Sequence, residues 1–488
     1  MGCDLKITAH FLSRLIMKII FSFFAVFFFL FSIQAQQVQW ASKVIKFSSD
    51  LGGKQNGIKR ILGKPDAFPQ TGPSANAWVP KNALDGYEKI EVGFENPQTV
   101  KQVAIFENLN AGCVTRIAVD NGSGSYTTVW SRKLNYKTPT FKATIPADRN
   151  YYFKRKRRKI QEAPDVLNPG IEHAILDNPV SGVVAVRVEF NFALLPGQKQ
   201  IDAIGISDSE VPIEAKINTL PEFENLPNPE IIAMGDLSPS LPVLSPDGNK
   251  LFFTEDTNDK ERIFSCTKSG GTWSAPTEEN SLLSQNEVYN FMVSYQPNLI
   301  LKGGKKYTRG NGETGYEFLD SNYQPLGLLK IVAYNNYDET SSASITADAK
   351  TLIMGIETDM TQGGHDLYFT TKKDDETYGF LQNMGKVINS AAEEASPCLL
   401  SDQKTLLFSS NGFSAYGDYD IYITYRLDDT WKKWSEPVNL GSKINSVNYD
   451  GSPYYDEKSE ILYFSSDGEK KSVIKSIHIP KTILMKSK

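Results

Sequence analysis

The sequence predicts an all-β chain in which a β-sandwich is followed by a β-propeller of five four-stranded blades, or six. Two observations predict it. Short apolar runs bounded by Gly, Pro, Asn and Asp recur through the chain after residue 36, which is the pattern of strands joined by tight turns. The second half also repeats itself. Asp348, Asp402 and Asp456, each in a polar turn beside an apolar run, are spaced 54 residues apart. One sheet of this size cannot bury its apolar face alone, so the copies must stack around an axis.

The first 36 residues read as a secretory signal. Arg14 and Lys18 precede the uncharged run Ile19 to Ile33, and a small residue for cleavage follows at Ala35 and Gln36. The run falls short of the roughly 20 apolar residues that a membrane span needs. Met17 would by itself start a signal of ordinary proportions. Lys6 stands where a myristoylation signal has Ser or Thr. The mature chain keeps Cys113, Cys266 and Cys398, an odd and scattered set that predicts unpaired thiols rather than a disulfide framework. A net charge of -5 is too slight for a nucleic-acid surface.

Residues 37–207 carry strands without a repeat, among them Ile90 to Phe94, Val103 to Phe106, Arg116 to Val119 and Val183 to Phe190. Ala41-Ser42, Leu62 to Asp66, Ala77-Trp78-Val79-Pro80 and Ile201 to Ile206 resemble the discoidin, or coagulation-factor type C, jelly roll of bacterial envelope proteins. That resemblance implies loops at one end of the sandwich that bind glycans or lipid headgroups. Trp78 is then a candidate to stack on a sugar, with packing as the alternative, and Arg116 a candidate to pair with an acidic group. The run Lys154 to Lys159 reads as a solvated loop, or as a contact for anionic lipid or polysaccharide.

Residues 208–229 hold Pro212, Pro221, Pro227 and Pro229 and predict an extended, semi-rigid linker. Residues 230–488 are the propeller. Its complete unit runs from Glu394 to Gly441, with strands at Cys398 to Leu400, Thr405 to Phe408, Asp420 to Tyr425 and Trp434 to Leu440. Asp247 lies 101 residues before Asp348, which leaves room for a degenerate copy at Tyr295 to Leu301. Third strands recur at Asp366 and Asp420, and fourth strands at Trp273-Ser274 and Trp434-Ser435. Ser238-Pro239, Ser396-Pro397 and Ser452-Pro453 open blades one, four and five. Pro fits where a strand's N–H need not join a ladder, and Asp makes the hairpin turn. The fifth copy is short, so Glu230 to Met234 is expected to complete its sheet and remove an exposed edge. These motifs resemble the TolB-like, WD-like repeats of bacterial envelope and secretion assemblies. There such repeats often precede a peptidoglycan-binding domain of the outer-membrane-protein-A type, which does not follow here before Lys488.

No motif of catalysis is legible. Gly310 to Gly315 spells a dinucleotide-binding pattern, but the repeat places it in a loop between two strands, without the helix that receives the pyrophosphate. His173, His365 and His478 lack metal-ligand spacing. The sequence therefore leads to an exported envelope protein that is not an enzyme and has no cofactor. It would serve as a protein-interaction scaffold, peripheral to the membrane, with envelope proteins or polysaccharide as partners. Carbohydrate binding by the jelly roll is the alternative, and a hydrolase with acidic residues in the propeller channel is the third reading.

Overall fold

The computed structural model describes residues 36–143 and 168–485, apart from 257–259, 280–281, 287–288, 306–311, 339, 374–376 and 469–470. Most of the predicted signal, with Ala35, and the basic run Lys154 to Lys159 lie outside the described residues.

The N-terminal unit is a sandwich built on two long strands, Tyr87–Glu107 and Gly170–Asn191. Their pairing slips at Gly93, Gln98 and Val100, and beyond these irregularities each strand continues into the second layer. One layer adds Val38–Trp40 and Ala203–Ser207, and the other adds Lys43–Phe47, Val114–Asp120 and Thr127–Ser131. Ile90, Val92, Val103, Ile105, Ile117, Val188 and Ile204 from both layers fill one core. Alternation along each strand sends these side chains inward.

Five antiparallel sheets follow among the described residues, one per blade, the first of five strands and the others of four, so the count is five and not six. Their innermost strands are Pro239–Leu244, Phe291–Gln296, Ser342–Ile345, Glu394–Leu399 and Asp450–Asp456. Glu230–Ile232, from before blade one, is the outermost strand of blade five, where Ile232 pairs with Ile474. Both chain ends of the propeller thus share one sheet, which closes the ring without a free edge at the junction. The seam is bonded further by Leu241 N to Ser465 Oγ (3.2 Å) and Ser472 N to Ser238 Oγ (3.0 Å). Apolar residues of neighbouring blades interleave, as Leu406, Phe408 and Tyr422 do with Ile353, Leu367 and Phe369.

The segment 208–229 is not the spacer that its prolines suggest. Thr219 pairs with Asn439 at the outer edge of blade four, and Phe223, on the short helix Pro221–Glu224, is fully buried with Leu400, Leu440 and Leu462. Leu484 of the short terminal helix Lys481–Leu484 joins the same cluster. The prolines fix local backbone direction, while Phe223 and Leu226 supply the apolar area that docks the segment.

Candidate functional site

The five innermost strands enclose a central channel of about 1240 Å³. Among the described residues, none of its lining comes from the sandwich. Blades one, four and five build the wall in the same way. Leu241, Ser396 and Ser452 take positive φ angles of 52°, 49° and 52°, and Pro242, Pro397 and Pro453 follow. A non-glycine residue in this region costs about 1–2 kcal/mol. Each bulge is held by a serine hydroxyl: Ser396 N donates to Ser342 Oγ (2.8 Å), Ser452 N to Ser409 Oγ (3.1 Å) and Leu241 N to Ser465 Oγ. Ser342, Ser409 and Ser465 belong to the preceding blade, so each bulge is also an inter-blade clamp. The register places Leu241-Pro242, and not Ser238-Pro239, at the position of Ser396-Pro397, because Leu244 pairs with Leu251 as Leu399 does with Leu406.

At one mouth of the channel lie the hairpins between first and second strands. Asp247 accepts from Ser245 Oγ and Asn249 N, Asp348 from Thr346 Oγ1 and Lys350 N, and Asp402 from Lys404 N and Thr405 N. These bonds hold the Asp247 and Asp348 carboxyls below the usual range. Asp456 is not their equivalent: it pairs with Ile461 at the strand end, two positions before the matching turn residue. It still accepts from Lys458 N and Ser459 N. All four aspartates hold their own turns.

The other mouth carries Glu261, Tyr289, Lys305, Asp338 and Thr340. His365 Nε2 lies 3.0 Å from Asp338 Oδ2 and 3.3 Å from Thr340 Oγ1, and Thr340 Oγ1 donates to Asp338 Oδ2 at 2.9 Å. A hydroxyl–imidazole–carboxylate relay needs its two partners on opposite ring nitrogens. Here both sit on Nε2, so the trio is a hydrogen-bonded corner of the rim and not an activated nucleophile.

The sandwich residues singled out in the sequence do not form a ligand site. Trp78 is completely buried, packs on Phe190 and donates Nε1–H to the Ser49 carbonyl (3.2 Å), so no sugar can stack on it. Arg116 is already paired in a fork with Glu189, at 2.9 and 2.8 Å. Trp273, in the strand Thr272–Trp273, and Trp434, in an isolated bridge before the strand Val438–Asn439, occupy matching places opposite Lys268 and Arg426. Among the described residues no group of three or more His, Cys, Asp or Glu side chains is placed to hold a metal. The glycine pattern at 310–315 falls partly outside the described residues and leads into the strand Glu313–Leu319, not into a helix.

Asp366 and Asp420 turn out to anchor buried networks between blades. Asp366 accepts from Gln362 N and Asn383 Nδ2, and Asn389 bonds both Leu367 N and Leu367 O. Asp420, Asn439, Asn445 and Ile421 repeat the arrangement. Burial lifts the Asp366 carboxyl to about 6 and that of Asp420 to about 7. The signal for this set is Asn383-x5-Asn389-Ser390-x3-Glu394, matched 56 residues later by Asn439-x5-Asn445-Ser446-x3-Asp450. Sequence reasoning built on Asp and Pro passes over it.

The sandwich docks on the first network. Its long loop, between Phe47 and Tyr87, sends Asn76 into the propeller, where Oδ1 accepts from Ala391 N (2.7 Å) and Nδ2 donates to Gly412 O (2.6 Å). Asn76 is 2% exposed. Gln55 Nε2 reaches the Ala391 carbonyl, Lys54 Nζ the Asp359 carbonyl and Lys64 the Glu436 carboxylate. This loop of the sandwich is spent on the propeller rather than left free for a ligand.

No family model and no curated protein matches the chain. Among solved structures it is similar to TolB from Acinetobacter baumannii, at 12% identity and TM-score 0.32, over 50% of this chain and 55% of that one. The chain thus spans about half the length of TolB. It is also similar to an endo-arabinase from Bacteroides thetaiotaomicron, at 16% identity and TM-score 0.35, over 52% and 98% of the two chains. A family 32 carbohydrate-binding module from Streptococcus pneumoniae EndoD matches 35% of this chain and 99% of its own, at 11% identity and TM-score 0.23. Other matches include further glycoside hydrolases and a gluconolactonase. At these scores the likenesses carry no argument about this chain's activity. The expectation that the protein is not an enzyme is nevertheless withdrawn: structures described as glycoside hydrolases and as a gluconolactonase stand among its neighbours, so missing motifs do not exclude activity.

Proposed function

We propose that the chain is an exported binding protein of the cell envelope, and that the propeller channel receives its ligand or a segment of its partner. The observation that carries this reading is the channel itself: all five blades line it, and no described residue of the sandwich enters its wall. A concave site assembled from several elements, lined by Tyr295, Tyr316, Tyr454 and Tyr455 together with polar side chains, is the usual form of a recognition site. The signal-like start and the resemblance of the repeats to envelope proteins support the location. Docking by Asn76 and the burial of Trp78 leave the sandwich as an accessory module rather than the primary receptor.

The test is crosslinked capture from intact envelopes with wild-type protein, with Ser294→Trp, which fills the channel wall, and with Arg116→Glu on the sandwich. Ser294 is a half-buried residue of the innermost strand of blade two and lines the channel. The reading predicts one stoichiometric partner or glycan held by wild type and Arg116→Glu and lost with Ser294→Trp. Retention of the same partner by Ser294→Trp would sink it.

A further inference from the structure

One place in the propeller core breaks the pattern of the repeats. At the position where the second and third strands face each other, blade one has Phe253 opposite Phe264, blade three Met354 opposite Tyr368, and blade four Phe408 opposite Tyr422. Blade five has Phe464 opposite Lys475. Blade two instead sets Lys302 opposite Glu317. Lys302 is completely buried, and the Glu317 side chain is 7% exposed. Lys302 Nζ lies 3.3 Å from Glu317 Oε1, and Lys305 Nζ lies 2.7 Å from Glu317 Oε2. Lys305 is 40% exposed and lines the channel mouth.

Putting an ion pair where apolar side chains would fit is rarely a gain in stability, because desolvation offsets the attraction. The direction of the Lys302 pKa agrees, since burial lowers it. In this trio one carboxylate offers one oxygen to each of two ammonium groups, and the exposed member is Lys305, with Glu261 and Asp338 on the same mouth. Glu317 fixes the Lys305 side chain, and Lys302 fixes Glu317 from beneath, so the cation at the mouth is pre-positioned.

We propose that Lys305, held by Glu317 and backed by Lys302, is the channel's contact for a carboxylate group on its ligand. This rests on the reading of the channel as the binding site. The test is titration of the full chain with sodium glucuronate and with sodium N-acetylglutamate, using glucose as the uncharged control, followed by calorimetry. Wild type is expected to bind one or both carboxylates saturably and to ignore glucose. Lys305→Met, at a side chain that is not part of the core, is expected to keep its thermal unfolding and to weaken carboxylate binding by about tenfold or more. Preference between the two salts tells a sugar acid from a peptide acid. Equal carboxylate binding by Lys305→Met and wild type, or no carboxylate binding by wild type, overturns the proposal. The channel reading stands or falls separately, on whether Ser294→Trp releases the captured partner.

Discussion

Two buried networks in this propeller are nearly the same in sequence and differ in what lies on them. Between blades three and four, Glu394 Oε1 accepts from Ser390 Oγ (2.7 Å) and Ser410 Oγ (2.8 Å), and Oε2 accepts from Ser390 N (2.9 Å). Between blades four and five, Asp450 Oδ2 accepts from Ser446 N and Ser446 Oγ, both at 2.6 Å. Glu394 pairs across the strands with Ser410, and Asp450 with Ser466. The longer side chain reaches its serine, whereas Asp450 Oδ1 and Ser466 Oγ are left without a well-formed hydrogen bond. One methylene separates a closed network from an open one.

The closed network is also the one the sandwich covers. Ser390 is followed by Ala391 and Ala392, which leave the Ala391 N–H open to Asn76, while Ser446 is followed by Val447. Beside the open network stands Lys475, with Nζ 4.0 Å from Asp450 Oδ1. Small side chains beside a finished polar network make a dock, and a larger one beside an unfinished network does not.

The comparison can be broken most severely at Glu394. Glu394→Ala strands three buried donors and is expected to cost about 3–5 kcal/mol in urea unfolding, against about 2 kcal/mol for Asp450→Ala. Asn76→Ala leaves the Ala391 N–H and the Gly412 carbonyl unpaired. It is expected to cost about 2–3 kcal/mol and to make the loop between Phe47 and Tyr87 a site of limited proteolysis, with little change in the propeller's own unfolding. Asp450→Glu restores the missing reach and is expected to stabilise by about 0.5–1.5 kcal/mol; a loss of stability there would contradict the one-methylene explanation.

Acidity sharpens the same contrast. Burial, together with the nearby Asp366 carboxylate, raises Glu394 to about 8, whereas burial raises Asp450 only to about 6. A carboxyl whose folded pKa is raised holds its proton in the native state after the unfolded chain has released it. Its contribution is therefore full below the unfolded pKa and is lost as pH rises through the folded one. The Glu394 network should go on losing stability between pH 6 and 8, where the loss due to Asp450 has ended. Glu394→Gln should remove its own share of the slope in that window, where Asp420 still titrates at about 7, and Asp450→Asn should lessen the slope only below about pH 6. A profile unchanged by Glu394→Gln would contradict this assignment.

What the sequence shows of this fold follows from what repeats. Asp247, Asp348 and Asp402 are legible because each blade needs a hairpin, and the closing strand Glu230–Ile232 because a ring needs its last edge covered. Asp456 misleads because an aspartate at a strand end matches the motif as well as one in the turn. Linker prolines hide Phe223, whose burial depends on a cavity that only the assembled blades create. Asn76 is out of reach for a similar reason: its partners are backbone atoms of another unit, and backbone atoms leave no mark in composition. Lys302 is different, a charge within an apolar strand that breaks the pattern and is visible to a reading that asks what each blade lacks.

Amide hydrogen exchange at Ala391, compared with Val447 in the same molecule and with both sites in Asn76→Ala, is the direct measurement of sandwich docking on blades three and four. The account predicts a slow Ala391 amide in the wild type that becomes fast in Asn76→Ala, while Val447 does not change. An Ala391 amide that exchanges as fast as Val447 in the wild type, or that stays slow without Asn76, would contradict it.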